Sequence, residues 1–484
     1  MSLPSALNAS LARPLSPAGR ERRAALAPLL AAQWESAPDA AEARALDRLG
    51  HAGSLLVSGQ QAGLALGTFL LLSKCTALLA LADRVEAAGH ARPLTVFWLE
   101  GNDHDWREAA SPGRPLPEGW SAPAPAGAEG HPVSRIVPDT AWWAGQQAAL
   151  APVLEGLDEP LGDGLRAALR GSLVEHTRRL LRGLFAGSGL LVLDPADPAL
   201  RALAAPFARR LQEHAAGLGA DLRARTDELK RQGRRTPVEV DERPPWFTED
   251  EAGRRRRAEP GESVPAERFS PNVLTRPLLQ DWLLEPAAAL LGPSELAYTA
   301  QAETARARLE LPAVLPLARP TVQLIRRADH SALRSAGLDP WNPPQPGQPW
   351  PEELLLGLPG GSELAARLAL LEQARAEIGG LCAAAGRPDL EQLGRRQEAL
   401  AEQIRQALWT AHKAGHKDTL RRLHGLAAWQ DGPDSPQERR LNALALLARL
   451  GGPAVLAGLR RELDPLAAGQ QRFVCDPMGG VERE

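Results

Sequence analysis

Two short apolar runs limit what this chain can fold into more than any other feature. Residues 55–58 (Leu-Leu-Val-Ser) and 94–99 (Leu-Thr-Val-Phe-Trp-Leu) are each short enough to be a buried strand, and one amphipathic helical pattern, residues 66–88, lies between them. Polar side chains follow both runs: Gly59-Gln60-Gln61-Ala62-Gly63 after the first, Glu100-Gly101-Asn102-Asp103-His104-Asp105 after the second. This is a strand–loop–helix–strand unit, and an open α/β sheet binds ligands at the carboxyl edge where those loops sit. Residues 189–194 (Gly-Leu-Leu-Val-Leu-Asp) read as a third strand, with helical periodicity over 142–184 before it and 198–231 after it. Alternating β and α segments predict a mainly parallel sheet.

The rest of the chain is organised around that unit. Residues 1–50 look helical, and 111–140, rich in Pro, Gly and Ala, read as loop or insertion. Residues 232–270 are polar, with 238–240 at best a short strand. Residues 313–316, 321–325 and 471–475 are further strand candidates. The Arg254-Arg255-Arg256-Arg257 run, flanked by Glu249, Asp250, Glu251, Glu259 and Glu262, reads as a solvated loop rather than a polyanion patch. After a Pro- and Trp-containing break at 331–351, Leu364, Leu368, Leu371 and Ile378 share one helical face, and Leu393, Leu400, Ile404 and Leu408 share another. An antiparallel hairpin of coiled-coil type is expected, with an ordinary helix pair as the alternative.

Composition excludes some classes of function. With 484 residues, a formal net charge of −3 and 24% charged residues, the chain has no global electrostatic case for nucleic acid or an anionic membrane. Cys75, Cys382 and Cys475 are far apart and unpaired in pattern, which fits reduced core thiols. No apolar run reaches membrane-spanning length and residues 1–23 lack a signal pattern, so a soluble, intracellular protein is expected.

The first loop is neither a Walker A motif nor a G-x-G-x-x-G fingerprint. Its glycines would let backbone N–H groups approach an anion at a helix start, and Gln60 and Gln61 can donate and accept hydrogen bonds. It is equally readable as a tight turn with exposed glutamines. In the second loop His104 can shuttle a proton near neutral pH, and Asp103 or Asp105 could hold Mg²⁺. The alternative is a polar turn with Asp105 capping the next helix. No second His or Cys stands at zinc-ligand spacing. Lys74 could reach a bound phosphate only if its helix starts late, near Gly67, and otherwise reads as a surface lysine with its stem along the helix; His131, His176, His214 and His330 receive no assignment.

Taken together, these residues resemble the bacillithiol-biosynthesis cysteine ligase family, BshC. The matching pieces are Ser58-Gly59-Gln60-Gln61-Ala62-Gly63-Leu64 with Lys74, Val96-Phe97-Trp98 leading to Asp103-His104-Asp105, and Ser270-Pro271-Asn272-Val273 with Arg276-Pro277. Gly292-Pro293 with Glu295 and Ala297-Tyr298, and Gln437-Glu438-Arg439, complete the series. The chain departs from the family in having Asn102 for the usual Glu, Thr68 for a common Pro, Ser294 for a usual Gly, and Pro316-Leu317 with Arg319 two positions on for the usual Pro-Arg.

The resemblance implies an α/β fold: a Rossmann-like parallel-sheet core, nucleotidylyl-transferase-like, over residues 1–335, a C-terminal antiparallel helical coiled-coil domain over 352–428 serving dimerisation, and a segment over 429–484 returning to the core. It implies a cytoplasmic enzyme that adds L-cysteine to the amine of glucosaminyl-malate, with ATP as the natural activating donor and Mg²⁺ possible. On that reading His104, Asp103 and Asp105 are the catalytic candidates. Ser58, Gly59, Gln60, Gln61, Gly63, Asn102, Asn272, Arg276 and Glu295 are the binding candidates. Asn272 and Arg276 would meet a substrate carboxylate, Glu295 an amino group, and His104 would contact phosphates or deprotonate the amine. The competing expectation is a non-catalytic nucleotide- or thiol-binding scaffold of the same pathway.

Overall fold

A computed structural model describes residues 3–51, 53–432 and 435–484, so Met1 and Ser2 of the N-terminal stretch read above lie outside the described residues. The chain divides into two compact units, Met1–Val322 with Glu438–Glu484, and Gln323–Gln437.

The first unit carries strands β1 (Leu55–Gln61), β2 (Leu94–Glu100), β3 (Leu190–Leu193), β4 (Trp246–Glu249), β5 (Arg255–Arg257), β6 (Phe269–Pro271), β7 (Ala288–Leu291) and β8 (Leu315–Ala318). Five of them form a sheet in the order β3-β2-β1-β7-β8, and every neighbouring pair is parallel. Leu55 pairs with Leu94 and Gln61 with Glu100, so the two polar loops begin level with one another. Leu-Leu-Val at the start of β1 and Leu-Leu-Val-Leu in β3 are fully buried, as expected of strands covered on both faces. Chain order reverses at β1, with β2 and β3 on one side and β7 and β8 on the other. Ligands of open α/β sheets bind in the crevice that such a reversal opens. The Rossmann-like core expected from the sequence is therefore present.

Three local expectations are corrected. The helix after β1 runs Leu70–Ala87, because Leu64–Leu66 forms a 3-10 turn. Part of the arginine run is strand rather than loop, since β5 pairs with β4 and β4 with β6 in a small antiparallel sheet. Residues 238–240 form no strand.

The turn before the Leu70–Ala87 helix is strained and clamped. Ala65, Leu66 and Gly67 have φ of 49°, 65° and 62°, a left-handed run that L side chains disfavour. His176 Nε2 accepts the Ala65 N–H at 3.0 Å, while its Nδ1–H donates to the Ala168 carbonyl at 2.8 Å. Thr177 Oγ1 accepts the Gly63 N–H at 3.0 Å. From the other end of the chain, Asn442 Nδ2 donates to the carbonyls of Ala65, Gly67 and Pro112, each at 3.0 Å. Gly63 is required here, because a Cβ would lie 2.9 Å from the Gly67 nitrogen. Near the same segment, Glu438, wholly buried, pairs with Arg319 and accepts from Ser73 Oγ at 3.0 Å. Arg319 thus supplies a buried guanidinium two residues from the position of the family's usual Pro-Arg arginine.

In the second unit, helices Gly361–Ala384 and Pro388–Gly415 pack as an antiparallel hairpin. Cross-helix pairs fix the direction: Arg375–Glu398 at 3.5 Å and Arg405–Glu372 at 3.9 Å. Leu364, Cys382 and Ala401 are buried. The expected apolar faces are only partly turned inward, because Ile378, Leu393, Leu400 and Ile404 are exposed, as are Leu370 and Leu381. No single helix among the described residues is long and apolar enough to cross a membrane.

Burial pushes His176 down from 6.5 to about 4, against the raising effect of its bond to Ala168. The unfolded chain therefore takes up this proton at higher pH than the folded one. Stability should be complete above pH 6.5, fall as pH drops towards 4 and level off below that. The loss should be roughly 3 kcal/mol. Denaturant unfolding across this range should show a shallower acid limb in His176→Gln than in the parent.

Candidate functional site

The carboxyl ends of β1 and β7 are joined by a buried ion pair. Lys74, in the first turns of the Leu70–Ala87 helix, donates from Nζ to Glu295 Oε2 at 2.7 Å and to the Gly59 carbonyl at 2.8 Å. Because the helix begins only at Leu70, Lys74 points at the sheet and is 3% exposed; the surface lysine expected from the sequence is corrected. Glu295 also accepts the Gly292 N–H at 2.7 Å, closing the first turn of the Pro293–Gln301 helix. Burial alone would push Glu295 up, but the Lys74 ammonium and the Gly292 N–H hold it below the usual carboxylate range. Burial pushes Lys74 down against the pull of Glu295. Gly59 is fixed here by space, since a Cβ would meet the Trp98 carbonyl oxygen at 2.7 Å.

Other residues singled out by the sequence serve as bracing. Ser58 Oγ donates to the Leu290 carbonyl at 2.8 Å, tying β1 to β7. Asn272 Oδ1 accepts the N–H groups of Leu274 at 2.9 Å and Thr275 at 3.0 Å, closing the turn that leads into the Thr275–Leu284 helix. Arg276, half-buried, donates from Nη2 to Tyr298 Oη at 2.8 Å. Burial would lower its pKa, but Tyr298, Glu100 and Glu295 raise it above the ordinary value.

After β2, Glu100 gathers the turn. Its Oε1 accepts the Asn102 backbone N–H at 2.8 Å and the Asn102 Nδ2 at 3.0 Å, and its Oε2 accepts Trp98 Nε1–H at 3.1 Å. Asn102 is 3% exposed, and its Oδ1 accepts from Arg201 Nη2 at 2.8 Å; Arg201 also pairs with buried Glu249. Glu249 thus supplies the carboxylate for Arg201, and a neutral amide completes the contact. Asp103 Oδ1 accepts the His104 N–H at 2.7 Å, and Asp105 Oδ1 caps the next helix through the Glu108 N–H at 2.9 Å.

Arg255 on β5 reaches this turn from the small antiparallel sheet. It is held by Ser270 Oγ at 3.1 Å and the Pro271 carbonyl at 2.9 Å, and it lies 3.8 Å from the Phe247 ring centroid. Its Nη1 approaches His104 Nδ1 at 3.3 Å and Asp103 Oδ1 at 3.5 Å. His104 Nδ1 also lies 3.4 Å from Asp103 Oδ1, so the same ring nitrogen faces a guanidinium donor and a carboxylate acceptor. Sequence reading missed Arg255 because Arg254, Arg256 and Arg257 do pair in solvent, with Asp250, Glu262 and Asp241.

A cavity of about 460 Å³ opens beside the strained turn. Gln60, Gln61, Gly63, Thr68 and Asp105 line it, together with Arg439 of the Gln437-Glu438-Arg439 match and with Arg107 and Glu108, which sequence reasoning passed over. The buried Gln61 Nε2 has no hydrogen-bond partner among the described residues, an unmet donor at the cavity wall. Burial, then Asp105 and Asp103, raise the pKa of Glu108 against Arg439. Of the catalytic candidates only Asp105 lines this cavity; Asn272, Arg276 and Glu295 stand back from it. Among the described residues no three His, Cys, Asp or Glu side chains converge on a point. Mg²⁺ at Asp103 or Asp105 would take one or two carboxylates and fill its shell with water and phosphate oxygens.

Breaking the buried pair leaves one charge stranded. Lys74→Met is expected to cost about 3–5 kcal/mol in denaturant unfolding, with much of that recovered in Lys74→Met/Glu295→Leu. A double variant no more stable than the single one would mean the cost lies in packing rather than charge.

Comparison with known proteins adds the family. A model of the family described as "Bacillithiol biosynthesis BshC, N-terminal Rossmann-like domain" matches residues 10–264 and 259–317. A protein of Shouchella clausii named "Putative cysteine ligase BshC" is 27% identical over 442 residues, 82% of this chain and 80% of its own length. Proteins of the same name from Koribacter versatilis and Salinibacter ruber are 30% and 32% identical, over 60% and 58% of this chain. The chain spans only 58% and 56% of their lengths. Since the two matched segments cover more than half of its residues and the sheet at their centre has the expected Rossmann-like order, the chain belongs to the BshC family of bacillithiol biosynthesis.

Proposed function

We propose that this protein is a cytoplasmic ligase that joins L-cysteine to the amine of glucosaminyl-malate through an amide bond, with ATP activating the carboxylate. The observation that carries the reading is the unmet Gln61 Nε2 in a cavity at the carboxyl edge of β1. It wants an acceptor oxygen, and the substrates are rich in them. The cysteine carboxylate oxygen attacks the α-phosphorus of ATP, and pyrophosphate leaves. The amine nitrogen then attacks the acyl carbon, the C–N bond forms, the C–O bond to AMP breaks, and the amine proton passes to Glu108. Burial and neighbouring carboxylates suit Glu108 to that task. His104 donates its ring N–H to a phosphate oxygen while Glu108 takes the amine proton. Arg107 and Arg439 face the malate carboxylates.

Purified protein with ATP, Mg²⁺, cysteine and glucosaminyl-malate should yield bacillithiol by mass spectrometry. His104→Ala and Gln61→Ala should each lower kcat/KM by about 10²-fold. Absence of product with every phosphate donor tried would sink the ligase reading. Bacillithiol levels unchanged in cells carrying His104→Ala with Asp103→Asn would favour the scaffold.

The helical hairpin supports a homodimer. Leu370 and Leu381, 69% and 74% exposed, and Leu393 and Leu400, 51% and 55% exposed, leave apolar side chains on its outer surface that a second copy would cover. Light scattering should give twice the chain mass for the parent and the chain mass for Leu381→Glu/Leu400→Glu.

A further inference from the structure

Away from the residues considered so far, a second cavity of about 580 Å³ lies between the end of the Pro17–Ala32 helix and the Leu173–Leu184 helix. Four guanidinium groups line it: Arg170, Arg178, Arg179 and Arg182. Three have partners. Arg170 and Arg179 share Glu35, and Arg182 is held by both oxygens of Glu42 at 2.8 Å while its Cζ lies 4.4 Å from the Trp34 ring centroid.

Arg178 differs. It is 6% exposed, and among the described residues it makes no hydrogen bond and no ion pair. The carboxylates around it are committed elsewhere. Asp39 accepts the N–H groups of Ala41, Glu42 and Gly187. Glu175 caps its own helix at Ser172. Asp194 attracts Arg178 most strongly through space but makes no hydrogen bond to it; it accepts the Ala196 N–H at 2.9 Å, and burial pushes its carboxyl up to about 6. The Arg178 guanidinium nitrogens are not sealed off but open to the cavity, so five N–H donors are left for whatever oxygens enter it.

We infer that Arg178 anchors a binding site for an oxyanion, a phosphoryl or carboxylate group carried by a small molecule. The planar fork of a guanidinium matches either group in a bidentate fashion. Arg170, mostly exposed at the rim, adds a second positive charge. An adjoining cavity of about 380 Å³ shares Arg170, Arg179 and Gly183 and is walled by Pro160, Leu161 and Leu184, so the apolar part of the same molecule has room beside its charge. The site shares no residue with the Gln61 cavity and stands whether or not the ligase reading does.

The test uses the full chain at constant ionic strength, with inorganic phosphate and L-malate as separate probes in thermal unfolding and calorimetric titration. A ligand bound only by the folded state raises Tm with concentration. The parent should show such a rise with at least one probe, and which probe acts separates phosphoryl from carboxylate. Arg178→Gln should bind that probe at least ~10-fold more weakly while unfolding, without the probe, at the same or higher temperature, because burial outweighs the pull of Asp194 on the guanidinium charge. Arg170→Ala should weaken binding by a smaller factor. No Tm rise with either probe, or an undiminished rise in Arg178→Gln, overturns the site. So does an Arg178→Gln protein that is less stable or unfolded without the probe, since Arg178 would then serve the fold as the counter-charge of Asp194.

Discussion

The Lys74–Glu295 pair is the constraint on which the site depends. Two opposite charges largely withdrawn from water are held by each other and by one backbone partner apiece, at the place where the chain order of the sheet reverses. Lys74 takes the Gly59 carbonyl, and Glu295 takes the Gly292 N–H. The pair thereby sets the distance between the loop after β1 and the helix after β7, the two lips of the crevice in a Rossmann-like sheet. Gly59 lacks a side chain because Trp98 of the neighbouring strand leaves no room, and Ser58 ties the same strand to β7. What looks like a binding motif is thus first a joint.

Around this joint, chemistry and bracing are divided between different residues. Glu100, Asn102, Arg201 and Glu249 form one continuous polar chain from β2 to the small antiparallel sheet, and that sheet carries Arg255 to His104. The Asn102 departure from the family pattern fits this chain. Arg201 already has a carboxylate in Glu249, and a second one at position 102 would stand against Glu100. The side chains with open hydrogen-bonding capacity are instead Gln61 and the cavity-mouth group of Glu108, Arg107 and Arg439.

Much of the core was legible in the sequence because buried parallel strands are written as short, continuous apolar runs. β1, β2 and β3 are such runs, and the helices between them have the expected period. Leu66 misled, being apolar at helical spacing while its backbone is left-handed; no local signal marks a turn fixed by His176 and Asn442 from far along the chain. β4 to β6 were hidden because strands of three or four residues have too few alternations to read, and Arg255 sits among three arginines that are solvated. Gln60, Gln61 and Asp105 were found because polar groups at strand ends stand out. Lys74, Arg255 and Arg178 were not, since a charge gives no hint in sequence of whether it will be buried.

The clamp by Asn442 has a consequence for how the protein is made. Its amide reaches the Ala65 carbonyl across 377 positions of sequence. While the chain emerges from the ribosome, the sheet can assemble around β1, β2 and β3, but the left-handed turn at 65–67 has no partner on one side until nearly the whole chain has been synthesised. The wall of the cavity that holds Gln61 is therefore among the last parts to set.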